Sequence, residues 1–313
     1  MTLMQFRTHY QRAGAVLTFS LALALPVAAQ NNTSARAAGE PPVSTSSSPA
    51  MTTESNAPLF YRQLVPFDAQ THGRLALPAA APDYRFAAHA NVIPLVAGEV
   101  AVALKYYPIV FVNAGDGGKG AVPKLSVLVG AGDGHNLYVE ADGQWRAQTY
   151  IPAYVRRYPF HVLRVQGRDE AMLGIDIAAP WINAGGSPLF EADGKPSARL
   201  EQLRAFAQDF HHQGEVTETL VKQLQDAGVL EASGLSIAPQ GGGEPRQIGG
   251  FMVVSPAKLH ALDATTVYRL HQSGALALAH GQLLSLSNLN VLNPVTSSAE
   301  SNKSAKSKNK SVK

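Results

Sequence analysis

Asn91-Val-Ile-Pro94-Leu-Val-Ala-Gly-Glu99-Val-Ala-Val-Ala-Leu-Lys105-Tyr106-Tyr107-Pro108-Ile-Val-Phe111-Val112 is followed, about fifty residues on, by Tyr150-Ile-Pro152-Ala-Tyr154-Val-Arg156-Arg157-Tyr158-Pro159-Phe160-His161-Val-Leu163. Both stretches follow one plan, a helix-like run that ends in Tyr-Pro and passes into a strand. Proline disfavours the helical conformation in the residue before it and has no N–H for an intrahelical bond, so each Tyr-Pro reads as a helix stop. Between Leu95 and Leu104 only Gly98 and Glu99 interrupt the apolar residues, which predicts a helix buried on most sides. Ile109 to Val112 then reads as a core strand.

Working outward, Leu125 to Val129, Asn136 to Glu140 and Gln144 to Tyr150 read as strands. Asp142-Gly143 between the last two favours the positive dihedrals of a tight hairpin, so a small antiparallel meander is expected. His161 to Val165 and Ala171 to Ile177 predict two more strands. From Ser197, an N-cap after Pro196, the residues Leu200, Leu203, Phe206 and Phe210 recur at helical spacing. The polar stretch from His211 to Glu215 predicts a bend before Val216, Leu220 and Leu224 resume the stripe, which stops near Gly228. Ser236 to Ala238 and Gln247 to Val254 read as a strand pair. Ser255-Pro256, Asp263 and Gly274 punctuate a helical end that runs through Leu286. Strands and helices in mixed order predict an α+β fold, a single mixed domain with antiparallel β-hairpins and a helical C-terminal part, flanked by disordered ends.

The ends differ in composition from this middle. Arg7 and Arg12 precede an apolar run from Ala13 through Leu25 and then Pro26-Val27-Ala28-Ala29, the layout of a secretory signal peptide with a cut after Ala29. That run is short for a membrane span, and the alternative is an uncleaved N-terminal anchor. The expected organisation is a signal peptide at 1–29, a disordered linker at 30–57, the folded domain at 58–292 and a disordered lysine-rich tail at 293–313. Export predicts a periplasmic or cell-surface location and no transmembrane segment in the mature chain; the alternatives are a cytoplasmic or anchored protein. The formal charge of +3 arises in the tail, where five lysines face Glu300. The remainder is close to neutral, so no basic excess points to nucleic acid. Cysteine is absent, which excludes disulfides and thiolate chemistry.

Few segments carry the marks of chemistry. The loop Gly115 to Gly120 follows a strand, but Lys119 is followed by Gly120 where a phosphate-binding loop needs Ser or Thr. His211 and Glu215 lie four apart and could share a helix face, yet with His212 they do not complete a metal site, and a solvated face is the simpler reading. No Gly-x-Ser-x-Gly is present. Neither a metal nor another cofactor is expected. Glu99 is the oddest carboxylate: in an apolar helix it either faces outward or joins a local network with Arg156 or Arg157. Tyr154, Arg156, Arg157 and Tyr158 crowd aromatic and guanidinium groups into five residues. That mixture suits carboxylate or peptide ligands, against an amphipathic helix whose arginines merely lie over the core. These four residues and Glu99 are the candidate binding site.

Several landmarks, in order, resemble the bacterial SapC family from about Phe60 to Leu292. They are Tyr84-Arg85-Phe86-Ala87-Ala88, Pro94-Leu95, Tyr107-Pro108 with Phe111, and the second Tyr-Pro segment. Pro188-Leu189-Phe190 with Asp193-Gly194 follows, then Leu270-His271 with Gly274 and the ending Leu283 to Leu289. The resemblance implies an envelope-associated role in surface-layer protein export or assembly, and it supplies no catalytic residues. The expected protein is a non-enzymatic envelope accessory that binds an envelope or surface-layer protein, or a peptide. The rival is an uncharacterised enzyme, metal-dependent and hydrolytic or peptide-modifying, built on Glu99 or on the His211, His212 and Glu215 group.

Overall fold

The computed structural model describes residues 57–78, 83–113, 120–132, 134–163, 171–182, 185–237 and 246–292. The signal segment, the tail, all but residue 57 of the linker and the loop at 115–119 lie outside the described residues. So do the turns at 167–169 and 241–245.

The chain opens with β1 (Leu64–Pro66), α1 (Ala69–His72) and β2 (Ala76–Leu77). Next comes β3 (Val92–Pro94), followed by a 3-10 turn over Ala97–Glu99 that leads directly into α2 (Val100–Ala103). The helix expected from Leu95 to Leu104 is therefore a short unit of about two turns over Ala97–Ala103. Its start is delayed because Leu95 still hydrogen-bonds as sheet, its N–H donating to the Leu125 carbonyl at 2.9 Å. The first Tyr-Pro then feeds β4 (Ile109–Val112), which pairs with β5 (Lys124–Leu128).

Residues 136–150 depart from the expected meander, since Val139 and Trp145 form a single isolated bridge there. Around that bridge Glu140 N–H donates to the Gln144 carbonyl at 2.8 Å and Arg146 N–H to the Tyr138 carbonyl at 2.7 Å, so the hairpin at Asp142-Gly143 is short. Ahead of it the Asn136 Oδ1 accepts from Tyr138 N–H at 2.9 Å and its Nδ2 donates to the Ala87 carbonyl at 3.1 Å. Gln148, with φ of 61°, prevents a second strand from continuing.

The second Tyr-Pro segment forms α3 (Ala153–Arg156) and β6 (Phe160–Leu163), and β7 (Met172–Asp176) and β8 (Ser187–Pro188) follow. The Tyr158-Pro159 bond is cis. Next is α4 (Ala198–Asp226), where the Ser197 side chain accepts from Leu200 N–H at the N-cap. It runs unbroken through the polar stretch expected to bend it; helix-facing apolar residues continue on both sides, so nothing interrupts its ladder. The chain closes with β9 (Leu230–Ile237), β10 (Arg246–Val254), α5 (Pro256–His260), α6 (Ala264–Ser273), α7 (Ala275–Ser285) and a 3-10 segment over Leu286–Leu292. Gly274 separates α6 from α7 at φ of 90°, a conformation open to glycine at no steric cost.

Helices and antiparallel sheets make the fold α+β. One sheet has the order β3-β5-β4-β10-β9, a second β1-β7-β6, and β2 pairs with β8. In the five-stranded sheet alternate residues face opposite sides. Ile109 and Phe111 enter the main core under α7 and α4, while Val110 packs with Leu128, Phe251 and Leu292 on the other face. The three-stranded sheet holds a separate core around Phe160, Ile175 and Leu189. Helix α4, about 43 Å long at 1.5 Å per residue, serves both: Leu200 and Ala207 belong to the small core, and Phe210, Val221 and Leu224 to the main one.

Buried polar side chains fasten these parts. Gln282 on α7 is fully buried; its Oε1 accepts from Val254 N–H and its Nε2 donates to the Ile109 carbonyl, both at 3.0 Å. It thus fills a rung between β4 and β10, whose paired residues are Phe251 with Val112 and Met252 with Phe111. In the small core, Asp176 accepts from the N–H groups of Arg62, Gln63 and Ala178 and from the Tyr158 hydroxyl.

Candidate functional site

The two Tyr-Pro segments meet at Glu99, which is 6% exposed. Its Oε2 accepts from Val96 N–H at 3.1 Å, completing a local cap. Its Oε1 accepts at 2.7 Å from Ala153 N–H, the first residue of α3, and at 2.7 Å from the Tyr150 hydroxyl. A carboxylate is well placed at the N-terminus of α3, where unpaired N–H groups converge. Arg156 joins the network through Tyr150, its Nη2 donating to that hydroxyl at 3.0 Å while its Nε donates to the Ile151 carbonyl. Burial, and then the bond to Glu99, push the Tyr150 hydroxyl up to about 12. The Tyr107 hydroxyl donates to the Tyr150 carbonyl and ties the two segments a second time.

Because α3 is a single turn, Tyr154 and Arg157 lie three apart on one face, turned toward α4. The Arg157 guanidinium lies 4.3 Å from the ring centre of Tyr154, 4.5 Å from that of Phe210 and 5.9 Å from that of Tyr61. Arg157 is only 5% exposed, and no carboxylate pairs with it among the described residues. Its buried Nε has no hydrogen-bond partner there. Burying an ion costs several kcal/mol, and cation–π contacts return about 2 kcal/mol each when desolvated. The aromatic cradle offsets much of that cost but supplies no acceptor for the Nε–H. His161 lies near this charge, and burial together with the Arg157 charge lower it from 6.5 to about 4, so the imidazole stays neutral beside the guanidinium at pH 7.

Arg157 and Tyr154 form one wall of a cavity of about 370 Å³, near the lower end of the roughly 300–1,000 Å³ typical of ligand pockets. Its second wall is the β3–β5 edge, with Leu95, Val96 and Leu125, and its third is α4, with Phe210, Gly214 and Val221. An ion pair of Lys124 with Glu218 at 3.0 Å stands at the lining, and His211 Nε2 lies 3.7 Å from a Glu215 carboxylate oxygen. Among the described residues no group of three or more His, Cys, Asp or Glu is arranged to hold a metal ion.

The five candidate residues therefore divide. Tyr154 and Arg157 line the cavity. Glu99 is the cap that positions their helix. Arg156 lies at the surface over the Phe206 ring, at 5.1 Å. Tyr158 stacks on Phe86 at 4.3 Å and donates to Asp176, away from the cavity. Phe210 and Gly214 were not singled out from sequence. The available signal was a glycine inside a helical pattern with no packing reason, since a Cβ at Gly214 would meet nothing within 4 Å.

The family model for SapC matches residues 67–292, well over half of the chain. The chain belongs to the SapC family. The match takes in every element from α1 to the closing 3-10 segment and all of the cavity's lining residues. No curated protein and no solved structure matches the chain. None of the described helices of this SapC protein is long and apolar enough to cross a membrane.

Proposed function

We propose that this SapC-family chain is a non-enzymatic accessory protein of the bacterial envelope, acting in surface-layer protein export or assembly by gripping a partner protein or peptide at the Arg157 cavity. The observation that carries the reading is the guanidinium itself, buried, cradled by aromatic rings and left without an anion among the described residues at a cavity wall. A buried cation in that state gains most from a ligand that brings the missing acceptor. Aromatic and arginine side chains gathered in a desolvated recess also have the composition of a binding hot spot. The signal-like layout from Arg7 to Ala29 supports export to the periplasm or cell surface.

Affinity capture from envelope fractions, with bound proteins identified by mass spectrometry, tests this. A surface-layer or other envelope protein recovered with the wild-type chain and lost with both Arg157→Gln and Gly214→Leu is the expected result. Equal recovery with all three chains would overturn the capture role. Terminal sequencing of the chain from fractionated cells should begin at Gln30; a cytosolic chain beginning at Met1 would overturn the location.

A further inference from the structure

The chemistry of the captured group can be read from which polar atoms of the cavity are still free to bind. The Thr217 hydroxyl is committed, accepting from Ala97 N–H at 2.8 Å and donating to the Gln213 carbonyl at 2.6 Å. Val96 N–H is held by Glu99 and Leu95 N–H by the Leu125 carbonyl. The Tyr154 hydroxyl donates to the Leu59 carbonyl at 3.1 Å. Lys124 is engaged by Glu218. The Arg157 guanidinium is the cation of this lining that has no carboxylate partner among the described residues, with its Nε unbonded there; Lys124, Glu215, Glu218 and the His211 ring share the lining with proline, leucine, valine and aromatic side chains.

A ligand rich in hydrogen-bonding groups would strand those that meet the apolar part of these walls, and each unsatisfied group weakens binding. An anion on an apolar body would not. Lys124 is matched by Glu218, so the charge left for a ligand to meet is that of the single Arg157 guanidinium, with Glu215 in the same lining against any further negative charge. A planar carboxylate matches the guanidinium fork, which the Tyr154 and Phe210 rings flank at 4.3 and 4.5 Å.

Gly214 adds an independent observation. A glycine within a helix is less favourable than alanine. Here no neighbour requires it, and its missing side chain leaves the α4 wall open toward the cavity. We infer that the cavity takes a monocarboxylate on an apolar stem, with the carboxylate at Arg157 and the stem along Gly214 and Val221. This rests on the capture reading above and narrows it. The same chemistry is presented by the C-terminal residue of a peptide and by the acid end of an acyl chain.

Calorimetric titration of the full chain separates these sources. The probes are an acetylated peptide ending in leucine with a free carboxylate, the same peptide as its C-terminal amide, octanoate, and inorganic phosphate. Binding of the peptide acid or of octanoate is expected, and whichever binds names the source. The amide should bind roughly tenfold to a hundredfold more weakly than the acid, the worth of a charge-assisted hydrogen bond, and phosphate should not compete. Gly214→Leu, a change that raises helix propensity, should abolish binding while the chain stays folded by circular dichroism. Equal binding of acid and amide, competition by phosphate, or unchanged binding by Gly214→Leu would each overturn the inference. If acid-specific binding holds while Gly214→Leu still captures the envelope partner, the capture reading fails and this one stands. If partner capture is lost but acid and amide bind alike, the reverse is true.

Discussion

Each Tyr-Pro segment buries one charge, Glu99 in the first and Arg157 in the second, to nearly the same depth, and the two are treated differently. Glu99 receives three hydrogen bonds from Val96, Ala153 and Tyr150, so its burial is compensated inside the chain. Arg157 has ring faces around it and an Nε with no partner among the described residues. Equal burial therefore does not imply an equal role. A satisfied buried charge is part of the scaffold, and an unsatisfied one at a cavity wall is a binding group without its ligand. The two are coupled, because Glu99 caps the helix that carries Tyr154 and Arg157.

The comparison breaks first at Glu99. Glu99→Ala should lose about 3–6 kcal/mol of unfolding free energy in urea titration, since three hydrogen bonds disappear and two buried N–H groups lose their acceptor; Glu99→Gln, which keeps an acceptor, should lose less. A Glu99→Ala chain as stable as wild type would remove the carboxylate from the scaffold. Next is Gln282→Leu, which strands Val254 N–H and the Ile109 carbonyl; about 2–4 kcal/mol should be lost by the same measurement. Arg157→Met sharpens the contrast: replacing an uncompensated buried ion by an apolar side chain of similar length should leave stability within about 1 kcal/mol of wild type or raise it. A loss as large as that of Glu99→Ala would make the guanidinium structural. The smallest effect is expected from Gly214→Ala, a gain of up to about 1 kcal/mol in the thermal midpoint analysis; a loss would mean that the glycine is needed for packing.

Much of the framework was legible before the fold was known. The Tyr-Pro stops, β4, the Ser197 and Asp263 caps and the Gly274 break all follow from local rules, because proline, capping side chains and a left-handed glycine act within a few residues. The strands expected over 136–150 shrink to one bridge beside the Asp142-Gly143 turn, because Gln148 takes a positive φ on one side and Asn136 reaches back to Ala87, 49 residues away in sequence, on the other. The continuity of α4 was hidden for a similar reason: Leu200 and Ala207 bury in one core and Phe210, Val221 and Leu224 in the other, so packing at both ends carries the helix across its polar middle. For the site, the crowding of Tyr154, Arg156, Arg157 and Tyr158 was visible, but their separation into cavity, surface and core was not. That depends on Phe210 meeting Arg157 across the fold and on Asp176 claiming the Tyr158 hydroxyl. The role of Glu99 lay between these cases, since its apolar setting called for a partner while the partner, the N-terminus of α3, lies 54 residues away.

The state of Arg157 is the point on which the account turns, and its Nε–H can be observed directly in the full chain labelled with ¹⁵N-arginine, assigned by its disappearance in Arg157→Lys. A slowly exchanging resonance is expected, one that moves and saturates as the peptide acid or octanoate is added and stays in place with the peptide amide. A resonance that is unmoved by either carboxylate, or that responds equally to the amide, would contradict it.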